Sequence, residues 1–283
     1  MPTFSSSLRP RARDRSQPMK AYFSVDIEGV AGIAHWDEAF KDRADYAEFQ
    51  DRMTREAVAA CEGALAAGAT EIWVKDAHGS GRNIAQESLP IEATLIRGWS
   101  NHPLGMVQEL DETFDVVGMI GYHSPAGSAQ NPLAHTLTGD FALMTINDVV
   151  VSEYLLHTYA ANMLGVPVGF LSGDHRICEL GTELNPALGT VATNQGVGES
   201  VIALHPELAR ERIRAGVEAA FSGDVARHRV ELPERFEFRL RFHQPKLAYQ
   251  RSFYPGAWLE GEDTVAFSTD DYFEVLRLIR FMK

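Results

Sequence analysis

Cysteine is scarce in this chain, long apolar runs are missing, and basic residues are outnumbered by acidic ones. The only cysteines among 283 residues are Cys61 and Cys178, too few for a disulfide framework, so we expect a reducing compartment and a cytoplasmic protein. No apolar run approaches the roughly 20 residues that span a bilayer, so no membrane contact is expected. Because 39 acidic residues face 26 Lys and Arg, the formal charge of -13 argues against nucleic acid as a partner.

The first 18 residues differ in composition from the rest, being rich in Pro, Ser and Arg and almost free of apolar residues. No hydrophobic segment follows the arginines, which excludes a secretory signal. We expect residues 1–18 to be a disordered extension, or the protein to start at Met19. An organelle-targeting segment is a further alternative.

Strand and helix patterns alternate after Met19. Apolar residues recur every three or four positions from Tyr46 to Ala64, which predicts an amphipathic helix that stops at Gly68. Short apolar runs flank it at 21–28 and 71–76, and a strand–helix–strand order favours a right-handed unit in a parallel sheet. The run at 114–121 is typical of a strand buried on both faces. We therefore predict an α/β fold with a mainly parallel sheet flanked by helices.

The remaining patterns complete this prediction. Residues 142–146 and 149–151 predict a hairpin around Asn147-Asp148, and Ser152 is a suitable N-cap for a helix to about Leu164. Other predicted elements are strands at 93–96, 168–172, 189–193, 235–242 and 264–268, and helices at 103–110, 206–221 and 270–282. These patterns predict a main α/β domain over residues 19–195 and a smaller α+β portion over residues 196–283.

Two carboxylates stand together in the segment Ser24-Val25-Asp26-Ile27-Glu28-Gly29, which ends the first predicted strand. Residues two apart on a strand share a face, so Asp26 and Glu28 are expected to project together, with Gly29 allowing a sharp turn. Adjacent carboxylates ionise readily when a cation lies between them. The alternative is a surface strand with an acidic face.

Candidate metal ligands recur at other predicted strand ends. His78 follows the second strand, His123 follows the strand at 114–121, and Glu153 begins the helix after the hairpin. Ligands bind beyond the carboxyl ends of strands in open α/β sheets, so Asp26, Glu28, His78, His123 and Glu153 are expected to converge. This oxygen and nitrogen set suits two Zn²⁺ ions, with Mn²⁺ or Co²⁺ as alternatives and Asp26 as the bridging carboxylate. A single His at a strand end is often structural, which is the alternative for each imidazole.

The motifs Ser24–Gly29, Asp76-Ala77-His78, Gly121-Tyr122-His123 and Ile146-Asn147-Asp148, followed by Glu153, together resemble the zinc-dependent D-aminopeptidases of bacterial dipeptide-transport operons. The resemblance implies a two-zinc site with the five ligands above, and His135 as a catalytic or substrate-orienting residue. It also implies a homo-oligomer, a ring-shaped decamer. Two departures are Ser152, where Gly is expected, and the loop at 124–134.

We predict a metal-dependent aminopeptidase or amidase that hydrolyses the bond after an N-terminal residue, of D configuration by the resemblance. Its substrates would be short peptides or amino-acid amides, and a water activated by two zinc ions would be the nucleophile. One alternative is a Mg²⁺-dependent phosphohydrolase of the haloacid dehalogenase type, which leaves His78 and His123 without a role. Another is a non-catalytic peptide-binding component of a transport system.

Overall fold

A computed structural model describes residues 18–283, and the first 17 residues, on which the expected N-terminal extension falls, lie outside this range. The main sheet is built from β1 (Met19–Val25), β2 (Ala69–Asp76), β3 (Ala93–Ile96), β4 (Val116–Tyr122), β7 (Val168–Asp174), β8 (Gly189–Val197) and β9 (Ser200–Ala203). The strand order is β3-β2-β1-β4-β7-β8-β9, and only the β8–β9 pair is antiparallel. The chain adds β2 and β3 on one side of β1 and then β4, β7 and β8 on the other side. The border between β1 and β4 is therefore the switch point of the strand order, where such sheets bind ligands.

Helices cover both faces of this sheet because its inner strands are apolar on both sides. On one face, α1 (Tyr46–Ala66) and α4 (Pro206–Phe221) bury Met53 and Val217 against Phe23 and Phe170. On the other face lie α2 (Glu153–Met163) and α3 (His175–Leu184). Burial of these apolar side chains is the main favourable contribution to folding.

A second, antiparallel sheet packs over the α2 side of the molecule. Its strands are β5 (Phe141–Ile146), β6 (Val149–Val150), β10 (Phe236–Phe242), β11 (Trp258–Glu260) and β12 (Thr264–Thr269), in the order β11-β12-β10-β5-β6. Two helices accompany it, α5 (Pro245–Arg251) and α6 (Tyr272–Met282). The predicted α/β class is thus confirmed. The division into two portions at residue 195 stays a prediction. Both portions contribute strands to the second sheet.

Backbone φ angles at individual residues explain why one predicted element forms and another does not. Asn147 and Asp148 both have positive φ, 50° and 64°, as a two-residue hairpin turn requires. The prediction of a helix at 103–110 is wrong: only a 3₁₀ turn forms at Gly105–Val107, and positive φ at its first residue, Gly105, and at Glu109 prevents a longer helix. Within residues 18–283, no helix has both the length and the apolar character to cross a membrane.

Candidate metal centre

Four separate segments deliver the five predicted metal ligands to one place at the carboxyl edge of β1, β2 and β4, and the loop after β4 adds His135. β1 ends at Val25, so Asp26 and Glu28 lie in the turn that follows it rather than on the strand itself. His78 follows β2, and His123 is the first residue after β4. Glu153 is the first residue of α2, where Ser152 accepts a hydrogen bond from the N–H of Leu155 as the predicted N-cap.

Close backbone contact between the ends of β1 and β4 brings these segments together. The Gly29 N–H donates to Gly121 O at 2.8 Å, and a Cβ on Gly29 would lie 1.8 Å from Tyr122 O. Gly121 has φ of 70°, and a Cβ there would lie 2.3 Å from Asp26 O. Glycine is therefore required at 29 by close approach, not by the sharp turn expected from the sequence.

Asp26 stands between two imidazoles. Its Oδ1 lies 3.2 Å from His78 Nδ1, and its Oδ2 lies 3.5 Å from His123 Nε2. Glu28 Oε2 is 3.1 Å from the same His78 Nδ1. One carboxylate thus presents one oxygen to His78 and the other to His123.

Glu153 completes the second half of the cluster. Its Oε2 lies 3.6 Å from His123 Nε2, and its Oε1 lies 3.7 Å from His135 Nε2. The rings of His123 and His135 stack with centroids 4.3 Å apart. Candidate ligand atoms form two compact groups, one of Asp26, Glu28 and His123 and the other of His123, His135 and Glu153, each within 4.8 Å. These groups contain five of the six predicted residues, and His78 joins them through its contacts with Asp26 and Glu28.

Backbone carbonyls fix which nitrogen of each imidazole faces the carboxylates. Nε2 of His78 lies 2.8 Å from Ala39 O, and Nδ1 of His123 and of His135 lie 2.9 Å from Ser124 O and Leu133 O, respectively. Each of these nitrogens donates its proton, because a carbonyl only accepts. In the neutral ring, the form that binds a metal, the opposite nitrogen carries the lone pair and faces the carboxylates.

The buried carboxylates require positive charge among them, supplied by protons on the imidazoles or by a metal ion that replaces those protons. His123 Nε2 is buried without a hydrogen-bond partner in residues 18–283, and Asp26, Glu28 and Glu153 are each no more than 3% exposed. An oxygen and nitrogen set of this kind, held at this spacing and out of solvent, fits divalent zinc.

The pKa shifts within the cluster also indicate an excess of negative charge. Burial alone would lower the pKa of His123, but attraction by Glu153 and Asp26 outweighs it and raises that pKa well above its usual value. The pKa of His78 is raised in the same way, against burial, chiefly by Glu28 and Asp26. Burial would raise the pKa of Asp26, yet the two imidazoles hold it well below its usual value. The Asp26 carboxylate thus stays ionised and attracts cations.

Two buried carboxylates outside the cluster hold its loops. Asp76 accepts hydrogen bonds from the Asn83 backbone and side chain, and Asn83 Nδ2 also donates to His78 O at 2.7 Å. Asp174, at the end of β7, accepts from Ser124 and from Asn131 Nδ2, and that amide also donates to Glu28 O. In the sequence, only the position of Asp76 and Asp174 at strand ends indicates that they support the cluster. Their hydrogen-bond networks end on backbone atoms of His78, Ser124 and Glu28.

A cavity of about 640 Å³ opens beside the centre. Asp26, Glu28, His78, His135 and Glu153 form part of its wall. Trp36, Phe40 and Trp99 add aromatic surface, with the Trp36 ring edge-on to His135 at 5.2 Å. This volume suits a small ligand such as a short peptide.

Comparison with known proteins agrees with the motifs. The family model of the D-aminopeptidases matches residues 19–281. A D-aminopeptidase of Bacillus subtilis (strain 168) is 31% identical over 268 residues, 93% of this chain and 96% of that protein. The solved structure of the Zn-dependent D-aminopeptidase DppA from Bacillus subtilis, described as a self-compartmentalizing protease, has a TM-score of 0.86 and 29% identity, covering 93% of this chain and 96% of that chain.

The resemblance read from the strand-end motifs is thus confirmed over nearly the whole described chain. The Mg²⁺ phosphohydrolase and the non-catalytic transport component find no support, because the same residues 19–281 match the peptidase family. This chain belongs to the D-aminopeptidase family, whose members are hydrolases that act on peptide bonds.

Proposed function

We propose that this protein is a two-zinc aminopeptidase that removes the N-terminal D-amino acid from short peptides and amino-acid amides. The observation that carries the proposal is the pair of oxygens of Asp26, one facing each of two imidazoles whose other nitrogens are held by backbone carbonyls. Similarity to DppA, a Zn-dependent D-aminopeptidase, supports both the metal and the substrate class.

The five predicted ligands divide into two sets around Asp26. Glu28 and His78 would hold one ion with Asp26 Oδ1, and His123 and Glu153 would hold the other with Asp26 Oδ2. When bound, zinc supplies Lewis-acid chemistry that lowers the pKa of water and polarises a scissile carbonyl. We group the ligands in this way because these donor atoms already face one another.

His135 is proposed to handle protons during hydrolysis. Its Nδ1 is fixed by Leu133 O, so Nε2 is the free nitrogen, and it faces both Glu153 and the cavity. A proton at Nε2 could pass from this position to the leaving amine. The edge of Trp36 packs against the ring and restricts its rotation.

Metal analysis combined with hydrolysis of D- and L-alanine amide tests this function. We expect close to two zinc ions per chain, faster cleavage of the D-amide, loss of activity with a chelator, and recovery on adding zinc. His78→Ala should lose zinc, whereas His243→Ala, an exposed histidine outside the cavity lining, serves as the matched control. Cleavage that persists in full after chelation would refute the proposal.

We also propose that the protein assembles as a homo-oligomer, a decamer. Large apolar side chains are exposed on and beside the second sheet, including Phe253, which is 72% exposed, Tyr249 and Phe281. Such a patch is commonly covered by another protein surface, and DppA is described as self-compartmentalizing. Sedimentation should give a mass about ten times that of the 31.3 kDa chain. A monomer at micromolar concentration would contradict the assembly but not the hydrolysis.

A further inference from the structure

The cavity beside the metal centre reaches a second charged region, at the end of α6. Its wall includes the apolar residues Leu276 and Ile279 and, one turn further on, the cations Arg280 and Lys283. One cavity thus joins a cluster of carboxylates and imidazoles to a pair of cations. None of the residues proposed for metal binding or proton transfer belongs to α6.

Neither cation has a carboxylate partner. Across residues 18–283, Arg280 and Lys283 form no ion pair, although the chain has 39 acidic residues against 26 Lys and Arg. Arg280 instead donates from Nε to Asn101 O at 3.2 Å and from Nη2 to Asn101 Oδ1. Asn101 is in the left-handed region with φ of 64°. The guanidinium is therefore oriented by neutral acceptors, while its charge remains available for an anion.

Lys283 shares its cavity with the metal centre. The wall of this one cavity includes Lys283 and Arg280 as well as Asp26 and Glu153, which are among the proposed zinc ligands. A small molecule in the cavity therefore has both the cations and the metal centre within the same space.

We propose that Arg280 and Lys283 bind the terminal carboxylate of a short peptide whose N-terminal residue lies at the metal centre. This specificity rests on the proposed aminopeptidase function. A dipeptide carries its carboxylate only a few bonds beyond the scissile amide, since consecutive Cα atoms are about 3.8 Å apart. The planar guanidinium of an arginine and the ammonium of a lysine both form charge-assisted hydrogen bonds with a carboxylate. The pair would favour peptides with a free carboxylate near the cleaved bond over peptide amides and over longer peptides with the same N-terminal residue.

Two substrates with the same scissile bond test this inference: D-alanyl-D-alanine and D-alanyl-D-alanine amide. The wild-type zinc enzyme should prefer the free acid by at least about 10-fold in kcat/KM, because a charge-assisted contact is lost in the amide. Lys283→Met and Arg280→Met should each lower kcat/KM for the free acid by about 10- to 100-fold. Both variants should leave cleavage of the amide within about threefold of wild type, which also verifies that they fold.

Arg277→Met is the matched control, because Arg277 lies on the exposed side of the same helix and pairs with Glu274. It should leave both substrates unchanged. Equal losses on both substrates in the Lys283 and Arg280 variants, or no loss on either, would overturn the carboxylate site while the amidase activity stands. If the wild-type zinc enzyme cleaves neither substrate, the proposed function itself fails and this specificity fails with it.

Discussion

The imidazole rings of His123 and His135 lie face to face, with centroids 4.3 Å apart and planes within 9° of parallel. Each ring donates its Nδ1 proton to a backbone carbonyl, so both Nε2 atoms face Glu153. Their burial differs: the His123 side chain is 0% exposed and that of His135 is 16% exposed. Two parallel rings thus have different access to the cavity, which fits a ligand role for His123 and a proton-transfer role for His135.

The first prediction concerns His135. We expect His135→Ala to lower kcat for D-alanine amide by about 10²- to 10⁴-fold, the range for loss of a general acid or base. Bound zinc should remain near the wild-type amount, as measured by elemental analysis, because the five proposed ligands are intact. His243→Ala is the control for replacing a histidine. Loss of zinc along with activity would instead assign His135 to metal binding.

The second prediction separates the bridging carboxylate from its neighbours. Asp26→Asn keeps the shape of the side chain but removes the charge that faces both His78 and His123. Both proposed ions should bind more weakly, so zinc content after dialysis should fall below about one per chain and activity should be lost. Asp76→Asn alters a buried acid that contacts the Asn83 loop rather than the cluster, and it should retain more zinc. Full zinc content in Asp26→Asn would contradict the bridging role.

Sequence patterns were sufficient for the parts of this molecule that depend on apolar periodicity. The helix at 206–221 and the strand ends before Asp26, His78 and His123 follow from the spacing of apolar residues, and parallel strands necessarily bring those ends together. His135 was different, because its loop has no periodicity, and only the family resemblance singled it out.

Other features of the site leave little trace in sequence. The acceptors that fix the imidazoles are carbonyls of Ala39, Ser124 and Leu133, and every residue type has a carbonyl. The cations of α6 are about 130 positions beyond Glu153, so only the packing of α6 against α2 reveals that they share its cavity. Contacts that depend on backbone groups or on helix docking therefore required the structure.

The third prediction concerns pH and a buried acid of α1. Glu56 is 2% exposed; its Oε1 accepts from the Ala31 N–H at 2.9 Å, and its Oε2 has no partner among the described residues. Burial raises the pKa of Glu56 to about 7, against partial compensation from the Ala31 bond, Arg210 and Arg52. The folded state therefore keeps this proton between pH 4.5 and 7, where the unfolded state loses it. Stability from this group should fall with rising pH across that window, by about 3 kcal/mol in all.

Glu56→Gln isolates this contribution. The amide keeps an acceptor for Ala31 but has no charge to desolvate, so the variant should be more stable than wild type at pH 8 and about equal to it near pH 4. Urea unfolding at both pH values measures the difference, and other titrating groups cancel in the comparison. Glu62→Gln, on the exposed side of the same helix, should show no such divergence. A constant difference between Glu56→Gln and wild type at both pH values would contradict the prediction.

The fourth prediction concerns Asp174, whose carboxylate both caps helix α3 and contacts the loop that follows His123. Its carboxylate accepts from the Ile177 N–H as the N-cap of α3, from Ser124 next to His123, and from Asn131, which also donates to Glu28 O. In Asp174→Asn, one oxygen becomes an amide that must face donors. We expect a loss of about 2–4 kcal/mol in the free energy of unfolding, because the amide cannot accept all the buried hydrogen bonds that the carboxylate accepts.

The same variant should also lose catalytic efficiency, because the segments that carry His123 and Glu28 lose their common anchor. Asp271→Asn is the matched control: Asp271 is the N-cap of α6 and accepts from the Phe273 N–H, but it is exposed and has no contact with the cluster. Because Asn caps a helix about as well as Asp does, it should cost less than about 0.5 kcal/mol and leave kcat/KM unchanged. If Asp174→Asn lost stability but kept zinc content and kcat/KM at the wild-type level, Asp174 would be a helix cap only. Combined losses would show that it also positions the metal centre.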